Sequence, residues 1–167
     1  MKDYVIKNEL DDVKKGTQQS SFLGNPIEDP NAANAIKYVT YYPVSVALEN
    51  TNAATAGNYG YFFVADRPYE VISITERHRT KGSDSGARLQ VEKLTSGTAK
   101  GSGVDLVVSD GINIWSGSSN DTTNYATLTN TKSYLIMRRG DALGLTTKAT
   151  TITNVADLIV TVLLRAI

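Results

Sequence analysis

The sequence has no cysteine, one histidine (His78), one tryptophan (Trp115) and a formal net charge of zero at pH 7. Each lack excludes something. Without cysteine there is no disulfide, no thiolate zinc site and no catalytic thiol. Without net charge there is no broad field to draw in nucleic acid or an anionic membrane, and no run of five or more like charges marks a local patch. The longest apolar run, Leu158 to Ile167, is too short to span a bilayer. Met1 to Glu9 has no apolar segment of the signal-peptide kind, so the expectation is a soluble chain that is not exported by a cleaved signal.

What remains is a chain of 167 residues rich in Thr, Ser, Asn, Gly and Ala, with nine tyrosines. That length suits one domain with room for an appended arm. Short β-branched and aromatic runs alternate with polar Gly/Asn/Ser clusters, the pattern of an all-β sandwich. In Ala87 to Leu94, Leu89 and Val91 fall on one face and Arg88, Gln90 and Glu92 on the other, the two-residue period of a half-buried strand. Other strands are expected within 36–48, 59–65, 69–80, 104–108, 112–115, 125–128, 134–138, 142–145 and 158–167. Asp110-Gly111 and Arg139-Gly140-Asp141 read as turns. The strand count is enough for a two-sheet jelly roll.

Residues 1–35 read differently. Their apolar residues are sparse, and Pro26 and Pro30 interrupt them. They read as an extended N-terminal arm, residues 1–35, preceding a β-sandwich domain, residues 36–167. Such a segment folds only against a partner, with Phe22, Leu23, Pro26 and Ile27 as its anchors. The last strand carries a second signal. One face holds Leu158, Val160, Val162, Leu164 and Ala166, and the other holds Ile159, Thr161, Leu163, Arg165 and Ile167. Both are largely apolar, so both are expected to be covered, the second face (Ile159, Leu163, Ile167) by a covering arm or, as the favoured reading, by another subunit.

No constellation for chemistry emerges. Glu76 and His78 share one strand face, but zinc needs three or four ligands. A serine triad would need this same histidine, and no Gly-x-Ser-x-Gly elbow accompanies it. The expectation is a strand end with solvated charges. The other carboxylates sit in turns or on polar strand faces, where exposure is the rule. The loop Gly97 to Gly103 lacks the Lys-Ser/Thr ending of a phosphate cradle and reads as a flexible hairpin connection. Arg-Gly-Asp at 139–141 is what a tight turn requires, and integrin binding is set aside. Tyr59, Tyr61, Phe62 and Phe63 read as core aromatics rather than a sugar-stacking platform.

Several segments together resemble a known family. These are Tyr59 to Ala65, Pro68 to Val71, Ile74 to His78, Leu89 to Ala99, Gly101 to Leu106, Gly140 to Leu145 and Val160 to Val162. In order and spacing they resemble the capsid decoration, cement or head auxiliary proteins of tailed bacteriophages, over roughly residues 57 to 167. The resemblance implies a jelly-roll-like homotrimer, without catalysis or cofactor. It would sit on the outer surface of the virion, be made in the host cytoplasm, and bridge subunits of the major capsid protein. A different expectation is a glycan-binding head domain of a virion fibre, meeting a host-surface glycan through the loops 97–103 and 116–124 with Trp115 or a loop tyrosine. A carbohydrate-active enzyme would require carboxylates converging in a cleft.

Overall fold

A computed structural model describes residues 40–48, 54–55, 58–84, 86–115, 118–148, 151–152 and 154–167. The expected arm, with Phe22, Leu23, Pro26 and Ile27, lies outside the described residues, as does the stretch 36–39. From Tyr41 onwards the chain is a compact unit of its own.

Its strands are β1 (Tyr41–Leu48), β2 (Ala54–Thr55), β3 (Asn58–Val64), β4 (Tyr69–Arg77), β5 (Arg88–Leu94), β6 (Val104–Asp105), β7 (Ile112–Asn113), β8 (Thr123–Tyr125), β9 (Ile136–Met137), β10 (Ala142–Lys148), β11 (Thr151–Ile152) and β12 (Leu158–Ala166). One helical turn, α1 (Lys132–Leu135), precedes β9. Sheet one runs β1-β12-β4-β8, with β9 sharing the outer edge of β4. Sheet two runs β3-β10-β5-β6, with β7 sharing the outer edge of β5. All these pairings are antiparallel. Setting aside the small β2–β11 ribbon, and taking β6–β7 and β8–β9 each as one interrupted strand, eight strands remain. Their order is first-eighth-third-sixth in one sheet and second-seventh-fourth-fifth in the other. That order is a jelly roll, as expected from the sequence.

The core lies between the sheets. Val71 and Ile74 from β4 and Val160, Val162 and Leu164 from β12 face Leu89, Val91, Leu143 and Leu145 from sheet two. The expected alternation of β12 holds: Leu158, Val160, Val162 and Leu164 are buried. On its other face Ile159 is 42% and Ile167 57% exposed, with Leu163 half-buried. Tyr41, Pro43 and Ala47 of the adjoining edge strand are exposed beside them. No described residue covers that face.

Three register shifts break strict alternation, one in β4 and two in β3, where Phe62 and Gly60 are each passed over. In β4, Val71 pairs with Leu164 and Ser73 with Leu163, so Ile72 is the extra residue. A one-residue slip exchanges the faces of everything beyond it. In β3, Phe63 pairs with Leu143 and Tyr61 with Gly144, leaving Phe62 extra. Tyr61 is therefore exposed, with the Lys100 ammonium 5.3 Å from its ring centre, while Phe63 packs edge-on to Tyr69. Of these aromatics, Phe62 and Phe63 pack on the core as expected and Tyr61 does not. The expected strand 134–138 begins instead as α1. Lys93 binds the carbonyls of Ser133 and Ile136 at 3.0 and 2.8 Å, which fixes that turn. Burial pulls the Lys93 ammonium below its ordinary range, opposed by nearby Asp141.

The loop 97–103 is not a free hairpin tip. It folds back on sheet two, where Gly101 N–H donates to the buried Glu92 carboxylate at 2.9 Å. At the turn 139–141, the Asp141 carboxylate accepts from Arg138 N–H at 2.8 Å and is buried. The tripeptide therefore serves as a turn.

Tyr69 links sheet stability to pH. Its hydroxyl donates to Asp66 at 2.6 Å. Burial first, then that bond, holds the phenol above its ordinary range, and the Tyr69 bond, then Arg67, holds the Asp66 carboxyl below its own. A depressed carboxyl contributes stability above its unfolded pKa and loses it as pH falls through the folded value; a raised phenol contributes below its unfolded pKa and loses it as pH rises through the folded value. Since Asp66 is solvent-exposed, the alkaline arm dominates. Tyr69→Phe should flatten the loss of thermal stability above about pH 10 and weaken the acid-side loss. Thermal unfolding across both limbs checks this.

Candidate functional site

At one end of the sandwich the loops after β4, β7 and β10 are tied together. Thr80 bridges Ala156, Gly82 N–H donates to Ile114 O at 2.7 Å, and Asp121 N–H donates to His78 O at 2.8 Å. Beneath them lies the most polar part of the interior. Glu76 is 1% exposed and His78 0%. The expected solvated strand end is therefore wrong, and the reason is the Ile72 bulge, which turns both side chains inward.

Glu76 Oε1 lies 2.7 Å from His78 Nδ1, and Asn124 Nδ2 donates to Glu76 Oε2 at 2.7 Å. A carboxylate only accepts, so the ring proton sits on Nδ1 and Nε2 is left as an acceptor. Ser118 Oγ lies 3.4 Å from that Nε2. The order Ser118-His78-Glu76 is that of a nucleophile, base and orienting acid. The geometry directs it elsewhere. Ser118 has one hydroxyl proton, and the Trp115 carbonyl takes it at 2.6 Å. His78 is wholly enclosed, so its Nε2 meets no space where a leaving group could collect a proton. The Glu76 carboxylate fixes Asn124, and the Trp115 carbonyl fixes Ser118.

Those two residues line a pocket of ≈280 Å³ at the sandwich edge, between the 107–113 segment and the 124–127 segment. Val107, Ile112, Asn113 and Tyr125 also line it, and every described residue of its wall is uncharged. Tyr125 is 79% exposed, the most exposed large apolar side chain among the described residues.

No family model and no curated protein matches the sequence. Among solved structures, the fold is similar to a chain of the capsid of Ralstonia phage GP4, at 11% identity and a TM-score of 0.46, covering 77% of this chain and 84% of that one. It is also similar to a chain of the cyanophage Pam1 capsid asymmetric unit, at 15% identity and a TM-score of 0.37, covering 77% of this chain and 85% of that one.

The remaining buried carboxylate is structural. Glu92 accepts from Gly101 N–H and from the Thr146 hydroxyl at 3.3 Å, with the Lys148 ammonium 3.9 Å away. Exposure, the expectation for the acidic residues, fails for Glu76, Glu92 and Asp141. No group of three or more metal-ligating side chains occurs among the described residues. Trp115 is half-buried beneath the Arg88 guanidinium, which stands 5.8 Å from its ring centre, so it presents no free stacking face. Of the residues expected to contact partners, Ile159, Leu163 and Ile167 come together on the outer face of sheet one. The His78 pocket was missed because Asn124 and Ser118 lie 48 and 40 residues from their partners. The signal available was the pair of polar residues at the inward end of a strand.

Proposed function

We propose that this protein is a structural component of a bacteriophage virion that decorates the outer capsid surface and bridges neighbouring major capsid protein subunits. The carrying observation is the uncovered outer face of sheet one, where Ile159 and Ile167 stand exposed with Leu163 half-buried between them, beside exposed Tyr41, Pro43 and Ala47. Exposed apolar side chains grouped on one sheet face support an interaction surface, and the resemblance of residues 57–167 to phage decoration proteins names the setting. In this reading the face joins subunits of a homotrimer. Residues 1–35, with Phe22, Leu23, Pro26 and Ile27 as anchors, engage the capsid. No catalytic step, cofactor, nucleic acid or membrane enters.

Stabilisation follows from linkage. A ligand that binds only the assembled shell stabilises it by about 2.7 kcal/mol per site at a free concentration a hundredfold above Kd. Three arms on one trimer raise the effective concentration of the second and third contacts.

The test is cosedimentation with undecorated phage capsids, after mass determination in solution. The full chain should be a trimer that pellets with capsids in saturable proportion. Deleting residues 1–35 should abolish pelleting and leave the trimer intact. Ile159→Asp should give a folded monomer. A monomeric wild-type protein that ignores capsids would overturn the reading.

A further inference from the structure

We propose that the pocket beside Tyr125 is a binding site for one neutral pyranose ring of a glycan, a function independent of capsid decoration. The argument starts from the wall. Ligand pockets for drug-sized molecules run about 300–1,000 Å³, so ≈280 Å³ suits one ring rather than an extended chain. Among the described residues no charged side chain lines the pocket, so a phosphate, a sulfate or an acidic sugar would be desolvated there without a counter-charge from the described wall. The wall instead offers hydroxyls and a carboxamide from Ser109, Ser118, Asn124 and Thr127. Sugar hydroxyls both donate and accept, and these groups match them.

Two of these groups are held from behind. Asn124 is fixed through Nδ2, which donates to the buried Glu76 at 2.7 Å. Ser118 is fixed by the Trp115 carbonyl, to which its hydroxyl donates at 2.6 Å. A buried carboxylate that orients an uncharged pocket-facing group preorganises a site without placing charge on its wall. Tyr125 supplies what a pyranose ring also needs: an aromatic face, 79% exposed, at the pocket rim. Tyrosine gives amphipathic contact area at low entropic cost. This location differs from the loop 97–103, which is folded on its own sheet, and from Trp115, which is covered.

The experiment is saturation-transfer NMR on the full-length protein with methyl glycosides of glucose, galactose, mannose and N-acetylglucosamine, and with glucuronic and sialic acids as charged probes. At least one neutral glycoside should bind saturably, in preference to the acids. Tyr125→Ala should weaken that binding at least about tenfold, while Tyr125→Phe, which keeps the ring, should retain it. Tyr125 is exposed on an edge strand, so both variants fold, and unchanged thermal unfolding verifies it. Binding to no neutral glycoside, preference for the acids, or indifference to Tyr125→Ala would each overturn the proposal. Capsid cosedimentation should be unaffected by Tyr125→Ala, so this failure and failure of the decoration reading are distinguishable.

Discussion

Replacing His78 with alanine should destabilise the protein by about 3–5 kcal/mol, from the cavity left by a fully buried ring and the loss of a donor to a buried carboxylate. The mutation removes the imidazole 2.7 Å from Glu76 Oε1 and leaves a carboxylate that is 1% exposed with only the Asn124 amide for a partner. Removing the only ring donor from a buried carboxylate leaves its desolvation cost without the hydrogen bond that offset it. The loss should therefore depend on Glu76. In the background of Glu76→Gln, where no charge needs compensating, His78→Ala should cost much less, and the coupling between the two sites should be about 1–3 kcal/mol. Urea unfolding of the four members of that cycle is the measurement. Equal losses from His78→Ala in both backgrounds would mean the pair contributes no coupling, and the polar centre would then be held by packing alone.

The same network shows what a single sequence can and cannot reveal. Alternation made β12 readable, because the Leu158-to-Leu164 face keeps a strict period of two, whereas β5, expected to be half-buried, has Gln90, Glu92 and Lys93 buried along with Leu89 and Val91. The turns at Asp110-Gly111 and Gly140-Asp141 were readable because both glycines take positive φ, at 119° and 90°. Bulges were not readable. The extra residue at Ile72 is chosen by the pairing with Leu163 and Leu164, 90 or so positions further on, so nothing local in β4 announces it. Strict alternation from Val71 sends Glu76 and His78 to solvent, whereas the bulge sends them into the core. The pocket was hidden for the same reason, since its walls come from segments that meet only when the jelly roll closes. The outer face of β12 was half legible: its apolar character is in the sequence, and the absence of a described cover over it is in the fold. Loop 97–103 was misread as free because the carboxylate that holds it, Glu92, was taken to be exposed.

Gly111→Ala should be the other severe single substitution, costing about 3 kcal/mol or more. Gly111 has φ +119°, and a Cβ built on it would stand 2.3 Å from the Leu89 carbonyl oxygen and 2.8 Å from its carbon. Both obstacles are backbone atoms of β5, a strand held on one side by β10 and on the other by β7, so they have no flexible side chain to move aside. The turn cannot relax easily either, because Ser109 and Asp110 before it already hold φ at 56° and 63°. Gly97→Ala separates the two causes. Gly97 has a similarly left-handed φ of +87° with nothing within 4 Å of the added carbon, so it should lose only the conformational part, about 1–2 kcal/mol. Denaturant unfolding of both variants reads the difference directly. A Gly111→Ala loss no larger than that of Gly97→Ala would mean the turn does not press against β5. The interruption between β6 and β7 would then need a cause other than this close approach.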